Sequence, residues 1–295
     1  MSEQDAIIEA LVALGEDTAI QDCISLAGGC IDRIYRLRRQ DKPDLVAKVA
    51  PLDARERVRA EQAGMSCLSD TGHIRIPRSY LVHASGSWVV HLMEYLPSCA
   101  AGKGEWKRFG TALGAMHRHP GAEAYGFYGE TWLGTTMQPN AWHTDWPSFY
   151  AEQRIGYQLN LGKEDGVLGT IRLERLLRVR DRLPSLLPPS PVPATCHGDL
   201  WSGNALPYED EEGLGIALVD PACSYGDGWT DIAMMHLFGG FPGECYDAYA
   251  RGIGEAEPTD GRILVYQLYH LLNHVHLFGG GYLGQVDSIL DRLSV

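Results

Sequence analysis

The periodicity of the chain changes once, near the stretch MEYLPS (93–98), and that change limits the folds open to it. Between about residues 22 and 95, short runs rich in β-branched and aromatic residues, CISLA, IDRIYRLRR, LVAKVA, SYLVHAS and SWVVHLMEYL, alternate with Gly, Pro, Asp and Ser. That punctuation predicts a small antiparallel sheet. One stretch, LDARERVRAEQAGMSCLSDTG, lacks strand alternation, is rich in helix formers and ends on Gly72, so a helix is expected between the third and fourth strands. Ahead of the sheet, Ile7, Ile8, Leu11, Val12 and Leu14 have the spacing of an opening helix. After Pro97 the apolar spacing is helical in EWKRFGTALGAMHRH, DWPSFYAEQRIGYQLNLG, GTIRLERLLRVRDRL, ECYDAYARGIG and GRILVYQLYHLLNHVHLF. Strands followed by helices imply an α+β architecture of two lobes, residues 1–95 built on the sheet and residues 96–295 mainly helical.

Composition narrows the function. With 295 residues, 45% of them apolar, the chain can bury one large core or two moderate ones. No apolar run approaches the roughly 18 residues that would cross a bilayer. The opening segment MSEQDAIIEALVALGED lacks the basic and apolar regions of a secretory signal, so a cytoplasmic location is expected. A net charge of -13 argues against sequence-independent binding to nucleic acid or to an anionic membrane, both of which require a basic footprint. Seven cysteines, at 23, 30, 67, 99, 196, 223 and 245, include no CxxC pair and suit neither a disulfide framework nor a zinc site.

The chemistry concentrates in ATCHGDLWSGNALPYEDEEGLGIALVDPACSYGD (194–227). Here Asp199 precedes Asn204 by five residues, and the run ALPY and the strand GIALVD, which ends on Asp220, flank an acidic turn that reads as a hairpin. A loop carboxylate aimed at a hydroxyl, with an amide oxygen and a second carboxylate for a hard cation, is an arrangement for phosphoryl transfer. Taken alone, the segment could equally be a turn with Asn204 as a cap. Upstream, Gly28 and Gly29 lie between two strands, where backbone amides can approach phosphates, although two glycines also make an ordinary hairpin. Lys48 sits in the apolar strand LVAKVA and needs a counter-charge, for which Glu61 on the expected helix is the natural partner. Each could instead occupy a solvated face. The order glycine loop, Lys, helical Glu, HxD, Asn, Asp is the order a bilobal kinase requires.

HGDLWSGN, DPACSYGD, MMHLFGGFP, NAWHTDWPSFY and the N-terminal GGCI resemble the fructosamine-3-kinase (ketosamine kinase) family, within the aminoglycoside phosphotransferase and protein-kinase-like superfamily. The resemblance runs over nearly the whole chain. HGD with Asn is shared with aminoglycoside and choline kinases, the alternative reading among enzymes. The Trp of HGDLWSGN, DPA and the WHxDW block are specific to ketosamine kinases. A pseudokinase acting through a partner is the alternative from another class, and retention of a base at Asp199 speaks against it.

The resemblance implies a protein-kinase-like fold and transfer of the ATP γ-phosphate, with Mg²⁺, to the 3-hydroxyl of a ketosamine, free or protein-bound. Asp199 would be the base, and Asn204 and Asp220 the metal ligands. Lys48, oriented by Glu61, would bind phosphates under a loop of Gly28, Gly29 and Cys30. The hinge Met93, Glu94, Tyr95 and Leu96 would read adenine. This chain has Ala27 where the family's loop commonly has a third glycine. For the substrate, Trp201 is the first candidate contact, followed by Trp142, His143, Asp145 and Trp146, although Asp145 with Pro147 also reads as a helix N-cap. Asp231 is expected to brace the catalytic loop. Cys30 is a redox candidate that could link two copies of a chain expected to be a monomer or a homodimer.

Overall fold

The computed structural model describes residues 1–16, 20–26, 31–211, 213–256 and 258–295. The first helix, α1 (Glu3–Ala13), starts at a capping box in which the Ser2 hydroxyl accepts from Asp5 N (3.1 Å) and the Asp5 carboxylate accepts from Ser2 N (2.8 Å). Strands β1 (Ile20–Leu26), β2 (Arg33–Arg39) and β3 (Leu45–Pro51) follow, then α2 (Arg55–Asp70), β4 (Ser79–Ser85) and β5 (Trp88–Glu94). They form one antiparallel sheet in the order β1-β2-β3-β5-β4.

Alternation along β3 assigns its two faces. Leu45, Ala47 and Val49 pack with Ala6, Ile7, Ala10 and Leu11 of α1, closing one side of the sheet. Full burial of a side chain such as Ile7 or Leu11 contributes roughly 1.5–3 kcal/mol. Val46 and Lys48 point the other way, into the cleft. Of the five predicted stripe residues, Ile7 and Leu11 are buried and Leu14 packs against them, whereas Ile8 and Val12 remain exposed.

Beyond β5 the chain is mainly helical. It runs through α3 (Lys103–Arg118), a short hairpin of β6 (Thr131–Leu133) and β7 (Thr136–Gln138), and α4 (Trp146–Phe149), which passes through a π-helical stretch over residues 150–156 into α5 (Tyr157–Asp165). Next come α6 (Gly169–Leu186), β8 (Ala194–Cys196), the hairpin of β9 (Ala205–Asp210) and β10 (Gly213–Leu218), and β11 (Ser224–Gly226), which returns to pair with β8. Helices α7 (Trp229–Phe238), α8 (Gly243–Ile253), α9 (Asp260–Phe278) and α10 (Leu283–Arg292) complete the chain. Among the described residues no helix is long and apolar enough to cross a membrane.

Helices α3 and α8 touch through their backbones. A Cβ on Gly110 would lie 2.1 Å from the Cys245 carbonyl oxygen, so that crossing tolerates no side chain. Gly104, on the same helix, has nothing closer than a flexible Arg108 nitrogen at 3.8 Å. Gly110→Ala is therefore expected to destabilise the protein by about 1–3 kcal/mol. Gly104→Ala should be neutral or stabilising by up to about 1 kcal/mol, because alanine loses less backbone entropy in a helix. Urea unfolding midpoints of the two variants check the contrast.

Candidate active site

Strand β8 delivers the chain into the HGD turn, the β9–β10 hairpin carries it out and back, and Asp220 lies between that hairpin and β11. The turn is held by a buried carboxylate. Asp231, near the start of α7, accepts from His197 N (2.7 Å) and Gly198 N (2.8 Å) and faces His117 Nε2 at 3.2 Å. Burial alone would raise its pKa, but His117, His197 and the amide hold it below the ordinary carboxylate range. The expected brace is in place. Gly198 has φ +83°, and a Cβ there would meet the Ala222 carbonyl oxygen at 2.1 Å, so the turn requires glycine.

His197 is buried and neutral, its pKa lowered by loss of solvent. Its Nδ1 accepts from Asp199 N (3.2 Å), which leaves Nε2 to donate to the Val219 carbonyl at 2.9 Å. One ring thus joins the HGD turn to the residue before Asp220. The Asn204 amide nitrogen donates to the Asp199 carbonyl (2.8 Å) and carboxylate (3.2 Å). With that nitrogen committed, the amide oxygen is the group left for a cation. Asp220 itself has φ +55°, a left-handed conformation uncommon outside glycine. Burial, then the charge of Asp220, pushes the Asp199 carboxyl up to about 7, against the opposing Asn204 hydrogen bond.

Lys48 reaches this group from the sheet. Its ammonium lies 2.6 Å from Glu61 Oε2 and 3.1 Å from Asp220 Oδ1, with Asp32 Oδ2 at 3.8 Å. Burial would lower the Lys48 pKa, but Asp220 and Glu61 more than offset it and the net direction is upward. Glu61 is shifted down by Lys48 and His91 despite its own burial.

Three cavities meet here. One of about 420 Å³ has apolar walls that include Leu26, Ile34, Val46, Leu206 and Val219, and it runs along Met93, Glu94, Tyr95 and Leu96 to Lys48, Asn204 and Asp220. A smaller one of about 120 Å³ gathers Asp32, Lys48, Arg57, Glu61, Asp199, Trp201, Asn204 and Asp220. A third, of about 420 Å³, shares Asp199 and Trp201 and is walled by Phe238, Asn273, His274, Phe278 and Tyr282. Trp201 and Asp199 thus stand between the second and the third. Among the described residues no group of three or more His, Cys, Asp or Glu could hold a metal ion unaided. The hard oxygens of Asn204 and Asp220 suit Mg²⁺ with the remaining ligands drawn from substrate phosphates.

Other predicted site residues lie elsewhere. Asp145 caps α4, accepting from Ser148 N at 2.8 Å, and Trp146 is buried with its indole nitrogen donating to Tyr266 OH at 2.9 Å. Trp142 stacks on Tyr225 at 6.0 Å, and the His143 ring faces Gln153 and Glu152. None of the four lines a cavity that contains Asp199. Gly28, Gly29 and Cys30 lie outside the described residues. Sequence reasoning missed the Asp32–Arg57 pair, the β6–β7 hairpin and the wall contributed by α7 and α9. Only the repeated aromatic and His residues of α9 signalled that wall, and they read equally well as core.

A lysine on the sheet paired with a glutamate on α2, above a loop carrying Asp and Asn and a hairpin leading to a second Asp, defines a kinase-like phosphotransferase. A choline kinase structure from Streptococcus pneumoniae shares this fold, with a TM-score of 0.64 and 17% identity over 99% of this chain and 100% of that one. The family model for fructosamine kinase matches residues 3–295, and the chain belongs to that family. A probable ketoamine kinase of Synechocystis sp. is 36% identical over 94% of this chain and 92% of its own length. A chloroplastic protein-ribulosamine 3-kinase of Oryza sativa subsp. indica is 31% identical over 98% of this chain and 83% of its own. A crystal structure of a candidate fructosamine-3-kinase from Haemophilus somnus superposes with a TM-score of 0.87 at 27% identity, over 98% of each chain.

The raised pKa of Asp199 has a signed consequence. The folded protein keeps a proton there up to about 7, whereas the unfolded chain releases it near 3.8, so this group disfavours folding increasingly as pH rises between those values. Asp199→Asn keeps the shape without the charge. It is expected to raise the Tm of the nucleotide-free, metal-free protein by an amount near zero at about pH 4 that grows to a plateau above about pH 7. A series of melting curves across that range checks the trend, and a gain independent of pH would contradict the burial argument.

Proposed function

We propose that the protein transfers the γ-phosphoryl group of ATP to the 3-hydroxyl of a ketosamine, the adduct of a sugar and an amine. The observation that carries this reading is the position of Asp199 between a cavity lined by Lys48, Asn204 and Asp220 and a second one walled by aromatic rings. Adenine fits the apolar cavity along Met93 to Leu96, where backbone groups of the connector can read its edge. Lys48, oriented by Glu61, faces the phosphates. Mg²⁺ held through Asn204 and Asp220 would neutralise phosphate charge while the group moves.

The acceptor belongs in the aromatic cavity. Trp201 offers an indole face to the sugar C–H groups or a cationic amine, and Asn273 and His274 supply polar groups. His274 is held neutral by burial and packs on Phe238, Phe278 and Tyr282 at 4.7, 5.4 and 5.1 Å. Asp199 takes the hydroxyl proton as the oxygen–phosphorus bond forms and the bond to the ADP oxygen breaks. A carboxyl that titrates near neutrality is suited to accept and later release that proton. The 3-phosphate product eliminates and frees the amine, a deglycation. In this reading the substrate contact is Trp201 rather than residues 142–146, and a cytoplasmic location is part of the proposal.

Phosphate transfer to ribulose-, erythrulose- and fructose-lysine, with choline and kanamycin as controls, tests the reading. Turnover is expected for a ketosamine and not for the controls, and Asp199→Ala should lower it by about 10²–10⁴-fold. Trp201→Ala is expected to raise the KM for the ketosamine while leaving that for ATP nearly unchanged. Phosphorylation of choline or kanamycin in preference to every ketosamine would replace this reading.

A further inference from the structure

The phosphate cavity holds an ion pair whose placement is unusual for a simple staple. Arg57 and Glu61 are four residues apart on α2, so both project from one face of that helix into the cavity. Asp32, just before β2, turns both carboxylate oxygens to Arg57, with Oδ1 2.6 Å from Nη2 and Oδ2 2.7 Å from Nη1. The same Oδ2 is 3.8 Å from the Lys48 ammonium. The side chains of Asp32 and Arg57 are only 2% and 13% exposed, so solvent screens neither charge well.

Four carboxyl groups, Asp32, Glu61, Asp199 and Asp220, and two cations, Lys48 and Arg57, line this cavity. The ligand read for it is itself a polyanion. Each uncompensated carboxylate opposes that ligand directly and also competes with it for Lys48. We propose that Arg57 is a positioning residue for nucleotide binding, which neutralises Asp32 and draws it away from Lys48 so that the ammonium stays available to a triphosphate. This rests on the reading that ATP phosphates occupy the cavity. Asp32 would then contribute order to the segment ahead of β2, and Arg57 would cancel its electrostatic penalty.

The proposal gives opposite signs for single and double substitutions. Binding of ATP with Mg²⁺, and separately of adenosine, is measured calorimetrically on the full chain as wild type, Arg57→Met, Arg57→Lys, Asp32→Asn and the Asp32→Asn/Arg57→Met double variant. Arg57→Met should weaken ATP by at least about tenfold, because it strands a buried carboxylate beside the phosphates, while adenosine affinity stays unchanged. Arg57→Lys keeps the charge and should remain within about threefold of wild type. The double variant removes both charges and should recover ATP affinity to within about threefold of wild type. Asp32→Asn alone leaves a surplus cation and should bind ATP at least as tightly as wild type.

A double variant as weak as Arg57→Met would overturn the proposal and make Arg57 a direct phosphate ligand. Equal losses for adenosine and ATP would overturn it in favour of a local folding lesion, and an unchanged Arg57→Met would remove it altogether. A wild-type protein that binds neither nucleotide nor nucleoside would defeat the ATP reading itself, an outcome distinct from wild-type binding without rescue in the double variant.

Discussion

The Asp231 carboxylate is the interaction on which the site depends. Two backbone amides of the HGD turn point at it, and it is almost wholly buried. Left without that acceptor, His197 N and Gly198 N would be donors removed from water, at about 1–3 kcal/mol each. The His117 imidazole beside Asp231 supplies polar compensation from α3. The turn then sets the remainder: Gly198 passes under the Ala222 carbonyl, His197 reaches Val219, and Asp199 and Asn204 bond to one another. The oxygens of Asp199 and Asn204 are thus arranged by groups behind them in the fold.

A second constraint is charge. Lys48 is buried among carboxylates, so its position is over-determined: Glu61 anchors it to α2 while Asp220 draws it toward the loop. Burial alone would disfavour the ammonium, but these partners keep it charged. The opposite balance holds at Asp199, where burial and Asp220 raise the pKa. Neighbouring carboxyl groups thus acquire different proton affinities from their surroundings, as an acid–base site requires.

Much of this was legible in the sequence, and the reasons are local. Runs rich in β-branched and aromatic residues, separated by turn residues, marked all five strands of the main sheet, and a lysine in an apolar strand called for the acid that Glu61 supplies. Asp199, Asn204 and Asp220 were legible because their spacing along one loop and one hairpin suffices to bring them together. The aromatic wall was not, because Phe238, Asn273, His274 and Phe278 lie on two helices and become a surface only when α7 packs on α9. Arg57 sits in a charged helical turn that reads as solvated, and only the fold reveals a buried aspartate opposite it. The WHxDW block carried two readings, substrate contact or helix start. Its aspartate and proline form a helix start, as the capping pattern allowed, and the fold turns Trp146 inward onto Tyr266.

The backbone contact between α3 and α8 bears on how the cleft can move. Helix α3 follows the connector from β5, is locked against α8 at Gly110, and carries in its last turn His117, which touches both Tyr249 of α8 and Asp231. The connector therefore leads directly into the platform that carries the HGD turn. That connector is itself bonded to β9, with Cys99 N donating to the Pro207 carbonyl and Glu209 N to the Pro97 carbonyl, both at 3.1 Å, so the sheet and the platform are joined along a shared seam. The 3.1 Å contact of Lys48 with Asp220 is then a second tie between the sheet and that platform, made by side chains instead of backbone.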